Sequence, residues 1–252
     1  MPSKRELLQK LLMGIETGDP KAADVVNEVR YVQHNPQTAE GGEGLAALFA
    51  RISKTNPKVR FVRVFEDREF AFAHNEYDFA DLKAAFEVFR FEAGKAVEHW
   101  DNLQPMAGLN RSGRSMTDGS TTLSDLSSTE TNRAIVRDFV ETVLVAGQMS
   151  RLHEFVSRDL MQHAGDLEDG STALAGSLLA EETAVSARRY TRLHRVLAEE
   201  NFVLCQCEGR HAGIHAGLYD LYRVEAGVIV EHWSTVEAIP PRDQWKNDNG
   251  KF

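Results

Sequence analysis

The 252-residue chain has little of what marks several functional classes. Its only cysteines are Cys205 and Cys207. Two residues apart on a strand they share a face, so a bond between them would be strained, and they offer no metal-ligand spacing. They read as reduced, buried thiols of a cytoplasmic protein. No run reaches the roughly 18 consecutive apolar residues of a membrane span. The start, Met-Pro-Ser-Lys-Arg-Glu, leads into an amphipathic pattern rather than a signal-peptide core. Positive charge is in deficit: 29 Lys and Arg stand against 38 Asp and Glu, a net −9, which argues against a nucleic-acid partner. A Gly-rich phosphate loop, a His-Glu-x-x-His pair and a serine elbow are all missing. The expectation is a soluble protein with no metal, no cofactor, no membrane and no nucleic acid.

What the chain does have is repetition. Arg90-Phe-Glu-Ala-Gly-Lys-Ala-Val-Glu-His-Trp100 matches Arg223-Val-Glu-Ala-Gly-Val-Ile-Val-Glu-His-Trp233 at eight of eleven positions. Tyr31-Val-Gln-His34 matches Leu160-Met-Gln-His163, and Arg63-Val64 matches Arg195-Val196, in the same order. The period is far longer than the 20–50 residues of a solenoid repeat, so each copy is a whole domain. The Ser-, Thr- and Gly-rich stretch after Pro105 reads as a linker. The boundaries are 1–105 for the first domain, 106–127 for the linker and 128–252 for the second domain. Ser127 and Glu130 have the spacing of a capping box at the start of a helix.

Each copy reads as helices followed by a meander. In the first, Leu7, Leu8, Leu11, Leu12 and Ile15 give one apolar helix face over Arg5 to Glu16. A short helix follows over Lys21 to Val29, and a third over Leu45 to Ile52. Strands are expected near 59–65, 70–77, 84–91 and 95–103, with Gly94 supplying positive φ in the last hairpin. In the second copy helices are expected over 135–145, 152–160 and 171–187. Its strands fall near 190–197, 202–208, 217–224 and 228–236. Helices first and antiparallel strands after them make an α+β domain.

This order, the Gln-His segment and the Glu-x-Gly-x-x-x-Glu-His-Trp hairpin resemble the NTF2-like superfamily, and within it the SnoaL-like, polyketide-cyclase-like proteins. The chain end Asn247-Asp-Asn-Gly-Lys-Phe252 resembles that group too. The resemblance implies two tandem cone domains, each with about three helices packed on a strongly curved, mostly antiparallel sheet. It implies a small, apolar carbonyl-type ligand in the cone, handled by aldol-condensation, cyclase or isomerase chemistry. The alternative is a non-catalytic small-molecule-binding or scaffold protein. Domains of this kind pair through their sheets, so the second copy is expected to complete a pseudo-dimer within the chain, with a further homodimer left open.

Acid/base chemistry beside a carbonyl needs a base and a donor to the enolate oxygen. Asp101 follows Glu98-His99-Trp100, at the position that the resemblance makes the general acid/base. A three-residue hairpin loop would set it opposite Glu87, and two close carboxyls share a proton near neutral pH. His34 is the third catalytic candidate. His74, Tyr77, His99 and Trp100 are substrate-binding candidates in the first copy, and His163, His194, Asp220 and His232 in the second. Trp100 and Trp233 read more readily as core or interface residues. Ser234 stands where the first copy has Asp101, so chemistry is expected in the first domain rather than the second. His211 and His215 lie among glycines and belong to a hairpin, not to a metal-binding helix.

Overall fold

The computed structural model describes residues 2–252. The chain divides into two compact units, Met1–Pro105 with Ile239–Phe252, and Met106–Ala238. Each carries one five-stranded sheet. This is the tandem α+β architecture expected from the sequence.

In the first unit α1 spans Lys4–Thr17. Ser3 accepts from the Glu6 amide and Glu6 returns the bond to Ser3, a complete capping box. Gly18, at φ 68°, closes the helix in the left-handed conformation that a glycine adopts without strain. The helix expected over 21–29 is shorter, a 3₁₀ turn over Pro20–Val25. Val26 leaves it to bridge Ala96, and the Asn27 side chain caps the next turn. Strand β1 (Val32–Gln33) and helix α2 (Gly41–Ile52) follow. Strands β2 (Lys58–Asp67), β3 (Phe70–Asp78), β4 (Leu82–Glu92) and β5 (Lys95–Pro105) complete the sheet. Its order is β1-β5-β4-β3-β2, antiparallel except for the parallel β1–β5 pair.

One sheet face takes the helices. Leu8, Leu11, Leu12 and Ile15 of α1 and Phe49 of α2 form a core with Ala71, Ala73, Ala85 and Phe89 of the sheet. The three alanines leave room for α1 against the strands.

The second unit repeats the plan with differences. Helix α3 spans Thr129–Phe139 and continues as a π-helical turn over Val140–Val145. The capping box at Ser127 does not form: Ser127 and Ser128 both donate their hydroxyls to Asp125. The helix expected over 152–160 stops early. Helix α4 is Leu152–Phe155, and β6 (Val156–Gln162) then pairs parallel with the last strand. Helix α5 is Ser171–Leu179, shorter than expected. Strands β7 (Arg188–Glu199), β8 (Phe202–His211), β9 (Ile214–Glu225) and β10 (Val228–Ala238) give the order β6-β10-β9-β8-β7. His211 and His215 flank the β8–β9 hairpin. Cys205 and Cys207 are free and buried in the core of this unit.

The segments outside the strands do not divide as the sequence suggested. Residues 106–127 are part of the second unit, and Ile239–Phe252 is part of the first. Hydrogen bonds explain the assignment. Asn247 donates its side-chain amide to the carbonyls of Asn35 and Thr38, and Asn249 donates to that of Gln33. In the second unit Asn110 donates to the Gln162 carbonyl, and Trp233 donates its indole N–H to that of Asp118. The linker expected over 106–127 is thus a hydrogen-bonded strap of the second unit, and the chain end 239–252 a strap of the first.

Candidate active site

The β4–β5 hairpin places the first candidates. Its loop is the two-residue Ala93-Gly94, both at positive φ (47° and 77°). The pairing then slips by one residue between Arg90 and Phe91, leaving Val97 as a bulge. A two-residue loop plus a bulge gives the register that a three-residue loop would have given. Glu87 accordingly faces Asp101, and Val88 faces Trp100. Alternation along β5 sends His99 and Asp101 to the helix-covered face and Trp100 to the other.

Glu87, His99 and Asp101 meet at the floor of a cavity of about 210 Å³ between the sheet and α1 and α2. Its walls are mainly apolar, from Leu11, Ile15, Leu45, Phe49, Phe79 and Phe89. Tyr77 donates its hydroxyl to Glu87 Oε1 at 2.8 Å. His99 Nε2 lies 2.7 Å from Glu87 Oε2, and His99 Nδ1 lies 2.8 Å from Gln33 Oε1. The Asn35 backbone N–H also donates to Gln33 Oε1, which fixes that atom as the acceptor. His99 therefore carries hydrogen on Nδ1, and the contact between Nε2 and Glu87 holds one further proton on one partner or the other. Burial raises the Glu87 pKa, against the hydrogen bond from His99, and the nearby Asp101 charge adds to the rise. Burial, then Glu87, also pushes the Tyr77 hydroxyl well up, so it stays a donor.

Asp101 is only 4% exposed. Its Oδ2 accepts from the Asn35 side chain at 2.6 Å, and Lys251 Nζ lies 3.4 Å from its Oδ1. Lys251, itself 4% exposed, comes from the C-terminal strap. Ligand atoms of Glu87, His99 and Asp101 lie within 4.8 Å of one another, a spacing that a metal ion could use. The ammonium beside Asp101 opposes a second cation there. The existing bonds to Tyr77, Gln33 and Asn35 suit a proton network instead.

Three sequence candidates fall elsewhere. His34 does not line the cavity. It stacks on Trp100, with Nδ1 against the Gly250 carbonyl at 2.9 Å and Nε2 against Glu98 at 3.0 Å. Both ring nitrogens are committed, Nδ1 to the strap and Nε2 to Glu98 of β5. Burial opposes the Glu98 charge, but bonds from His34 and Arg90 outweigh it and hold its pKa low. His74 alternates away from Tyr77 on β3 and points from the cavity, stacked on Phe86 beside Arg63. Trp100 lies on that same outward face. Gln33, Asn35 and Lys251 were missed. Gln33 precedes the conspicuous His34, and Lys251 sits in a tail whose destination the sequence did not show.

In the second unit Asp220 and His232 repeat the pair, with His232 Nε2 2.9 Å from Asp220 Oδ1 and Nδ1 2.7 Å from Gln162 Oε1. The tyrosine has changed strands. Gly209 of β8 occupies the place of Tyr77, and Tyr190 faces Gly209 from β7, where the first unit has Val59 facing Tyr77. Burial, then the Asp220 charge, holds the Tyr190 pKa well up. His163 is a strap latch like His34, with Nδ1 against Ser115 O at 3.0 Å and Nε2 against Glu231 at 2.9 Å. His194 is remote from this centre, bonded to Glu208. Aligning the two latches sets Ser115 against Gly250, and therefore Met116 against Lys251. Met116 is 1% exposed and Ser234 4%. Where the first unit buries Asp101 with Lys251, the second buries Ser234 and Met116.

No protein-family model and no curated protein matches the chain. Solved structures similar to it include TsrD from Streptomyces laurentii, at 20% identity and TM-score 0.35, covering 39% of this chain and 86% of that one. An NTF2-like protein from Cytophaga hutchinsonii shows 18% identity and TM-score 0.37, covering 42% and 93%. IdmH from Streptomyces antibioticus, a candidate polyketide cyclase, shows 16% identity and TM-score 0.35, covering 42% and 91%. The likeness is one of fold. Among the described residues no helix is long and apolar enough to cross a membrane.

Proposed function

We propose that the first unit is a cofactor-independent acid/base enzyme acting on a small, largely apolar carbonyl compound, by enolisation of the cyclase, aldol or isomerase type. One observation carries the reading: an apolar cavity ends in a carboxylate, Asp101, beside a Glu87–His99 pair that holds a proton. Asp101, with donors on both oxygens, removes a proton from the carbon next to the substrate carbonyl. The electron pair moves to the carbonyl oxygen, and the Glu87–His99 proton is given to that oxygen as charge develops. Tyr77 and Gln33 hold the pair in place. Return of the proton from Asp101 to another carbon, as the oxygen's proton goes back to the Glu87–His99 pair, completes an isomerisation; attack of the enol carbon on a second carbonyl within the substrate, whose oxygen takes the proton from Asp101 while the pair takes back its own, completes a cyclisation.

The second unit is proposed to be a structural and binding partner, because it lacks the Asp101 carboxylate and the ammonium that accompanies it. The test is Asp101→Asn in the full chain, screened against cyclic ketones and β-dicarbonyl compounds. Loss of about 10²–10⁴-fold in kcat is expected on any substrate turned over by the parent. Unchanged turnover removes Asp101 from the mechanism. Should the parent turn over none of them while still binding them, the first unit is a binding module.

A further inference from the structure

The charges lining the cavity are separated by depth. The lining acids, Glu87 and Asp101, are both at the buried floor. At the other end the lining holds three cations, Arg51, Lys83 and Lys246. They come from three elements: the last turn of α2, the start of β4 and the C-terminal strap. Arg51 and Lys246 are exposed and Lys83 is half-buried. Such a cluster is unexpected on a chain of net charge −9. Three like charges gathered at one opening repel one another, which costs stability unless an anion sits among them.

Resting on the acid/base reading of the same site, we infer that the substrate is a small apolar acid, with its carboxylate held at the mouth by Arg51, Lys83 and Lys246 and its reacting carbon at Asp101. The strand geometry sets the scale. Lys83 and Glu87 lie four residues apart on β4, on the same face, so their Cα atoms are separated by about 13 Å. That span leaves room for an apolar body of several carbons between the exposed cations and the buried acids. The anion also orients the substrate: its charged end is held at the exposed cations, so the carbonyl end is the one that reaches the proton network. The cationic mouth would raise the rate of capture of such an anion in a salt-dependent way.

The test is calorimetric titration of the full chain with phenylbutyrate and with its neutral amide, which have nearly the same shape. The parent is compared with the Arg51→Gln/Lys83→Gln/Lys246→Gln variant, which alters only side chains at the mouth. The acid is expected to bind about tenfold more tightly than the amide, as for partly exposed charge pairs acting together. The difference should shrink as salt is added and vanish in the triple variant, while amide binding stays constant. Equal binding of acid and amide by the parent overturns the anionic substrate and leaves the cavity reading intact. Binding of neither overturns the apolar-ligand reading itself, and with it this inference. An acid preference that survives in the triple variant removes the three cations from recognition.

Discussion

At the scale of single residues, the site is a problem of where protons sit. Glu87 is buried against His99, Tyr77 and Asp101, and burial lifts its pKa above the ordinary glutamate range. The folded chain then holds this proton to higher pH than the unfolded chain does. Between those two pKa values the native state binds more protons, so Glu87's contribution to stability falls as pH rises through that window. Glu87→Gln keeps a donor toward His99 and an acceptor toward Tyr77 but cannot titrate. Urea denaturation from acid to neutral pH should show the parent losing stability relative to the variant as pH rises. Parallel curves would mean that Glu87 titrates alike in both states. Asp101 was legible through the resemblance, and its pairing with Glu87 through the hairpin register, which the bulge at Val97 restores to that of a three-residue loop. His34 and His74 misled because a histidine's chemistry does not reveal its face. His34 turned out to be a latch, and the unremarked Gln33 beside it sets the His99 tautomer.

At the scale of elements, the last hairpin of each unit decides the register. Ala93 and Ala226 both sit at positive φ, 47° and 49°. An L-residue with a Cβ pays about 1 kcal/mol there, and Asn tolerates the position better. Ala93→Asn should therefore raise stability by about 0.5–1 kcal/mol in urea denaturation without moving the bulge at Val97; a loss of stability would show that the Ala93 methyl makes a contact worth more than the strain. The antiparallel strands were legible from alternation and turn residues. Strands β1 and β6 were not: β1 is only two residues long, β6 lies where the pattern continues a helical one, and both pair parallel. Tyr190 taking over from Tyr77 across two strands was equally hidden. Only the register reveals that Tyr190 faces Gly209, where the first unit has Val59 facing Tyr77.

At the scale of the molecule, duplication has been followed by paired change. Asp101 and Lys251, a charged pair in the first unit, align with Ser234 and Met116, two neutral buried side chains in the second. Removing one partner of a buried pair strands the other, at a cost of about 3–5 kcal/mol, whereas replacing both is far milder. Lys251→Met and Asp101→Ser should each destabilise strongly, and the double variant, which copies the second unit, should recover most of the loss. Additive losses in a double-mutant cycle would show that the two groups are not coupled. The tandem organisation and the α+β plan of each copy could be read from repeated motifs. The exchange of straps could not, because nothing local in Asn247-Asp-Asn-Gly-Lys-Phe252 states which Gln-His segment it will meet.

That exchange has a consequence in time. Residues 239–252 belong to the first unit but are made only after the whole second unit. At about 5–20 residues per second, the ribosome needs on the order of ten seconds to pass from Pro105 to Ile239. During that interval the nascent first unit has Asp101 without its ammonium and His34 without its carbonyl. Its cavity is completed only when the second unit has emerged, so a chain interrupted between the two would present Asp101 and His34 without these partners.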